Sequence, residues 1–115
     1  MRSLTIQVQP ARSPDLDMSR LCAAFDGLAS ESEFVQKHQF TSGDDSGLYF
    51  NFIFETSRPR DLWTVIRDQF YASGEFGFHM ARASMAMCSS EAGWNDYDLL
   101  FHFDPTVPRD VGPAV

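Results

Sequence analysis

The sequence predicts an α+β domain: a ferredoxin-like β-α-β-β-α-β arrangement with an added C-terminal strand, and two helices on one face of an antiparallel sheet. Aromatic residues alternate twice at a spacing of two, as Phe50, Phe52, Phe54 and as Tyr97, Leu99, Phe101, Phe103, which is the period of a half-buried strand, and both sets are expected to pack in one aromatic core between the sheet and the helices. Two other segments repeat apolar residues at helical spacing. The order then reads strand, helix, strand, strand, helix, strand, strand, which suits a split pair of strand-helix units. The likeness is one of topology and carries no activity.

Leu4, Ile6 and Val8 alternate with Thr5, Gln7 and Gln9, giving a first strand that Pro10 ends. Pro14, Asp15 and Asp17 lead into a first helix whose stripe is Met18, Leu21, Cys22, Phe25 and Leu28. A second strand is expected from about Phe34 to Phe40. The turn formers from Thr41 to Gly47 then make a hairpin into a strand from Leu48 to Thr56. Ser57 as N-cap, Pro59 and Asp61 in the first turn, and Leu62, Val65, Ile66, Gln69 and Phe70 predict a second helix ending at Gly74. From Phe76 to Cys88 the composition favours helix, but the alternation of Phe76, Phe78, Met80 and then Ala81, Ala83, Met85, Met87 reads as a strand with a phase slip. Ser89 to Gly93 form the loop of a second hairpin, and Trp94 to Asp104 the return strand.

The chain of 115 residues fits one domain, 1–104, followed by a tail, 105–115, with Pro105, Pro108 and Pro113. Its 43% hydrophobic and 14% aromatic residues lie far from the composition of disorder. Sixteen acids against nine bases give a formal charge of −7, which repels a phosphate backbone and leaves direct nucleic-acid binding out. The same charge suits a basic partner protein. No stretch approaches the roughly 20 apolar residues that span a bilayer, and the N-terminus lacks the cationic and apolar regions of a signal peptide. A cytoplasmic protein without membrane contact is expected.

Catalytic and cofactor motifs are missing from the sequence. There is no CxxC, GxSxG, phosphate loop or dinucleotide turn. Cys22 and Cys88 read as buried reduced thiols. His38, His79 and His102 have no second ligand at the spacing of a zinc motif, and the acids from Asp44 onward are too few and irregular for a calcium loop. No catalytic residue, metal or cofactor is assigned. The distinctive surface element is an acidic, aromatic strand end: Trp94, Asp96, Asp98 and Asp104, with Glu91 in the loop before it. Its acids protect an edge strand on one account; on the other, Trp94 and Tyr97 anchor and the acids receive a basic protein.

The function expected is therefore a small acidic inhibitor that occludes a more basic partner, a toxin or enzyme, as bacterial immunity proteins and antitoxins do. The alternative is a small ligand-binding or catalytic α+β domain whose open sheet face, with Tyr49, Ile53 and Leu100, forms a pocket or dimer interface. A homodimer through that face is compatible with both.

Overall fold

A computed structural model of the chain describes residues 1–72, 74–90 and 93–110, with side chains at all of them but 90 and 93–96. Five strands, β1 (Arg2–Val8), β2 (Lys37–Asp44), β3 (Leu48–Thr56), β4 (Ser84–Ser90) and β5 (Gly93–His102), form one sheet in the order β2-β3-β1-β4-β5, with every neighbouring pair antiparallel. Three helices, α1 (Met18–Glu31), α2 (Pro59–Ile66) and α3 (Gly74–Ala83), pack on one face.

Period decides which residues meet. In β1, Leu4, Ile6 and Val8 are fully buried, and they lie opposite Phe54, Phe52 and Phe50 of β3. Leu21, Phe25 and Leu28 of α1, and Leu62 and Ile66 of α2, supply the other wall of the same core. At its centre Phe25 stacks on Phe70 with ring centroids 4.1 Å apart and meets Phe52 at 4.4 Å. Offset aromatic contacts of this kind add to the burial of area itself.

The helix ends follow side-chain chemistry. Asp17 accepts the backbone N–H of Arg20 and caps α1. At α2 the expected Ser57 cap is not used. Pro59 opens the helix, the position before it is Arg58, and the Thr56 hydroxyl accepts the Arg58 N–H at 2.9 Å. Ser57 donates its N–H to the Gln36 carboxamide instead.

Four further expectations are corrected. The second strand begins at Lys37 rather than Phe34 and runs through Thr41, Ser42 and Gly43, so the hairpin turn shrinks to residues 45–47. Ser46, with φ 58°, and Gly47, with φ 143°, make that turn, and Asp44 accepts the Gly47 N–H. Second, α2 does not continue to Gly74: residues 67–71 form a π turn, which directs Phe70 to Phe25 and the next residue, Tyr71, to Trp63 and Phe101.

Third, the strand expected from Phe76 to Cys88 is a helix and then a strand. Phe76, Gly77, Met80 and Ala83 are buried at helical spacing, whereas Ser84, Ala86 and Cys88 are buried at a spacing of two. The phase slip is the junction between two periods. Fourth, Tyr97 and Leu99 do not share the core with Phe52 and Phe54. A register shift in the β4–β5 ladder pairs Ala86 with Phe101 but Met87 with Leu99, so Leu100 is the extra residue. Leu100 is thereby buried on the helix side, and Tyr97 and Leu99 turn to the opposite face beside Ser89 and Met87. Phe50 is half-buried at the core margin, and Phe103 lies outside it under the Arg12 guanidinium, 3.7 Å away.

Residues 105–110 return to the outer side of β5. Asp110 donates its backbone N–H to the Leu99 carbonyl at 2.8 Å, and its carboxylate accepts the Leu99 N–H at 2.6 Å. No helix among the described residues is long and apolar enough to cross a membrane.

Candidate functional site

Side chains out of phase with the core emerge on the sheet face that carries no helix. The register sets Thr5 between Ile53 of β3 and Met87 of β4, and Gln7 between Asn51 and Met85. Tyr97 and Leu99 continue the surface on β5, with Tyr97 50% exposed. Among the described strand side chains, Lys37 and Glu55 are the Lys, Arg, Asp or Glu residues that this register places on the open face, together at one corner. The centre of the face thus mixes Tyr, Met, Leu and Ile with uncharged amides and hydroxyls.

A chain of hydrogen bonds crosses this surface. The Arg12 Nε donates to the Gln9 carboxamide oxygen at 2.6 Å, Gln9 donates to Gln7 at 3.2 Å, Gln7 donates to Asn51 at 3.2 Å, and Asn51 donates to the Thr41 hydroxyl at 3.3 Å. All four bonds point the same way, so each polarises the next. A carboxamide has two N–H groups and two lone pairs. The row therefore keeps donors and acceptors for a second molecule while its geometry is held by the sheet.

Two concavities flank the row. One, of about 480 Å³, lies on the face and is lined by Thr5, Gln7, Asn51, Met87 and Tyr97 among others. The other, of about 400 Å³, lies at the sheet end between Gln7, Gln9, Arg12, Asp45 and Tyr49. The Tyr49 ring occupies the space above Gly43 that a Cβ would need, which fixes one wall of the second concavity.

The expected acidic patch is only partly in view. Asp98 lies on the helix side, its carboxylate 3.7 Å from Arg2, which also donates to the Ser89 carbonyl. Asp104 accepts the backbone N–H and the hydroxyl of Thr106, at 2.9 and 2.7 Å. Those hydrogen bonds hold its carboxyl below the ordinary aspartate range, with smaller help from His102 and Arg12. The structure thus engages both acids within the chain. Positions 94 and 96 belong to β5, but the side chains of Trp94 and Asp96 lie outside the described residues, as does Glu91 altogether.

Groups capable of chemistry are held in structural roles. The Ser13 hydroxyl stands 2.6 Å from His79 Nδ1, yet Ser13 is 2% exposed, so the pair ties the turn after β1 to α3 and offers no reachable nucleophile. His102 Nδ1 accepts the Asp104 N–H at 2.9 Å. Burial pushes the Cys88 thiol up, with opposing smaller effects from Arg2 and Asp98, and burial then Asp26 raise Cys22. Among the described residues no three His, Cys, Asp or Glu side chains gather as a metal-ligand set.

Sequence reading marked Tyr49, Ile53 and Leu100 for the open face; Tyr49 and Ile53 lie there, Leu100 is buried on the helix side instead, and Gln7, Asn51 and Met87 were not marked. Their signal was present: they occupy the strand phase opposite the core residues, and three carboxamides within it are unusual for a plain solvent face. No protein-family model matches the chain, and neither a curated protein nor a solved structure matches it.

Proposed function

We propose that this protein is a small binding protein of the immunity-protein or antitoxin kind, which occludes a more basic partner in the bacterial cytoplasm through the open face of its sheet. The observation that carries the reading is the composition of that face. Exposed Tyr97 and its neighbours Met87 and Leu99 adjoin a preorganised row of carboxamides, and the charged side chains among the described strand residues of this face, Lys37 and Glu55, stand at one corner. Tyrosine supplies contact area at low entropic cost and amides supply adaptable hydrogen bonds, a combination that recurs in recognition surfaces. The overall charge of −7 speeds encounter with a basic protein without having to be desolvated at the centre. Trp94, Asp96 and Glu91 precede Tyr97 in sequence; in this reading Trp94 is a second aromatic anchor, and Asp96 and Glu91 form the acidic rim beside it.

We also read the sheet as a ferredoxin-like β-α-β-β-α-β core with β5 appended. What supports this is β1 lying between β3 and β4, with β2 outside β3 and β5 outside β4. A second reading, a small-ligand site, is favoured by the concavity at Arg12, Gln9 and Tyr49, whose walls are fixed before any ligand arrives.

The test is affinity purification from the native host followed by binding kinetics with the purified partner. Tyr97→Ala combined with Met87→Glu is expected to speed dissociation at least tenfold, while higher salt slows association of the unchanged protein. A recovered partner that binds the double variant with unchanged kinetics overturns the proposed face. Reproducible binding of a small molecule that Arg12→Ala abolishes would transfer the role to the concavity.

A further inference from the structure

The two edges of the sheet end differently. Along β5 the returning chain takes up backbone groups: Asp110 bonds both the N–H and the carbonyl of Leu99, and Arg109 donates to the His102 carbonyl at 3.0 Å. β2 is last in the sheet order, so no described strand lies beyond it. Seven of its eight residues are exposed. Alternate residues of an edge strand direct N–H and C=O groups outward, and proteins usually blunt such an edge with proline, a bulge or shortness. β2 has eight residues, no proline and an unbroken register with β3. At its centre Phe40 is 48% exposed while stacking on Phe50 at 5.5 Å and meeting Phe52 at a tilt at 5.2 Å.

We propose that β2 is a self-association edge, on which two copies of the chain pair antiparallel about a two-fold axis to make one ten-stranded sheet. The charge pattern selects the occupant. Lys37 and His38 begin the strand, Asp44 ends it with Asp45 just beyond in the turn, and the residues between are uncharged. Antiparallel pairing of two copies sets the basic start against the acidic end at both contacts, whereas parallel pairing would set like on like. A two-fold axis normal to the sheet keeps opposed residues on one face. The register with Thr41 opposite itself then places Lys37 across from the partner's Asp45 and His38 across from the partner's Asp44. It also sets the two Phe40 rings on the diagonal across the seam, within reach of aromatic side chains. In a molecule of charge −7 most surfaces of a second copy repel, and this edge presents both signs in the order that attracts.

A strand edge is smaller than a standard interface, so association in the range of about 10–100 μM is expected. Sedimentation over a concentration series reads it. Lys37→Glu and Asp45→Lys each place like charges at both symmetry-related contacts and weaken association about tenfold, since two exposed pairs are lost at once. A one-to-one mixture of the two variants restores it, because the substituted side chains then face each other with opposite charge. Thr41→Cys in a Cys22→Ser background forms a disulfide-linked dimer on mild oxidation. Both charged positions are exposed, and matching circular dichroism melts establish that the variants fold. A monomer at all concentrations up to about 1 mM overturns the proposal, as does a mixture that associates no better than either variant alone. Tyr97→Ala, which tests the open face, leaves this equilibrium unchanged, so the two ideas fail separately.

Discussion

The ring of Tyr49 covers Gly43, its partner across the β2–β3 ladder, and fills the place of the missing side chain. Glycine weakens a strand through its freedom and its lack of packing surface, and the tyrosine compensates by covering the gap. A methyl group at position 43 must displace the ring. Gly43→Ala should therefore cost about 1–3 kcal/mol as an overpacked contact, and Tyr49→Ala should remove most of that cost when the two are combined. Urea unfolding of the two single variants and the double variant gives the coupling; additive losses would show that the ring is free to move.

The core makes a sharper prediction about strand phase. Phe52 is 5% exposed and packs on Phe25, whereas Tyr97 is 50% exposed on the far face. Phe52→Ala should lose about 3–5 kcal/mol. Tyr97→Ala should change stability by less than about 0.5 kcal/mol, as exposed positions do. Thermal melts of the pair decide it, and a large loss for Tyr97→Ala would place β5 in the other phase.

Tyr71 and buried Ser84 form a hydroxyl pair at 2.6 Å, and the Ser84 hydroxyl donates to the Met80 carbonyl at 2.7 Å. The two deletions should be unequal. Ser84→Ala strands the tyrosine hydroxyl in the interior, at about 1–3 kcal/mol, while Tyr71→Phe leaves Ser84 bonded to Met80 and costs about 0.5–1.5 kcal/mol. Denaturant midpoints with unchanged slopes measure both.

Alkaline pH should act through the same residue. Burial raises the Tyr71 phenol well above its ordinary value, against a smaller lowering by Ser84, and burial likewise raises the Cys88 thiol. In each case the folded chain holds the proton more tightly than the unfolded chain. The stabilisation is complete below the unfolded values, about 8.5 for cysteine and 10 for tyrosine, and is lost as pH rises beyond them. Unfolding free energy measured from pH 8 to 11 should fall, and the fall above pH 10 should be shallower in Tyr71→Phe. Equal slopes would show that Tyr71 ionises freely.

At the other edge, Asp110 should be felt at Leu99. Asp110→Ala removes the acceptor of the Leu99 N–H while leaving its carbonyl partner in place. Amide exchange at Leu99 should accelerate at least tenfold relative to Thr5 on the central strand. Unchanged protection would mean that β5 is closed by other means.

Local period and turn chemistry sufficed for much of the frame. The limits of β3, the stripe of α1 and the buried phase of β1 were legible because each rests on contacts between neighbours two or four residues apart. Tyr49 and Ile53 were assigned to the open face for the same reason. What sequence could not decide depended on partners far along the chain. Thr41, Ser42 and Gly43 look like a turn until β3 pairs with them and Tyr49 covers the glycine. Leu100 exchanges faces with its neighbours because the β4–β5 register slips by one residue, a property of two strands jointly. The amide row from Arg12 to Thr41 joins residues from three strands and a turn, so no window of sequence contains it. Composition determined that the chain folds, carries an acidic surface and has a large aromatic core; only the tertiary pairing decided which side chains the sheet presents to another molecule, since register and bulges set the face of every strand residue at once.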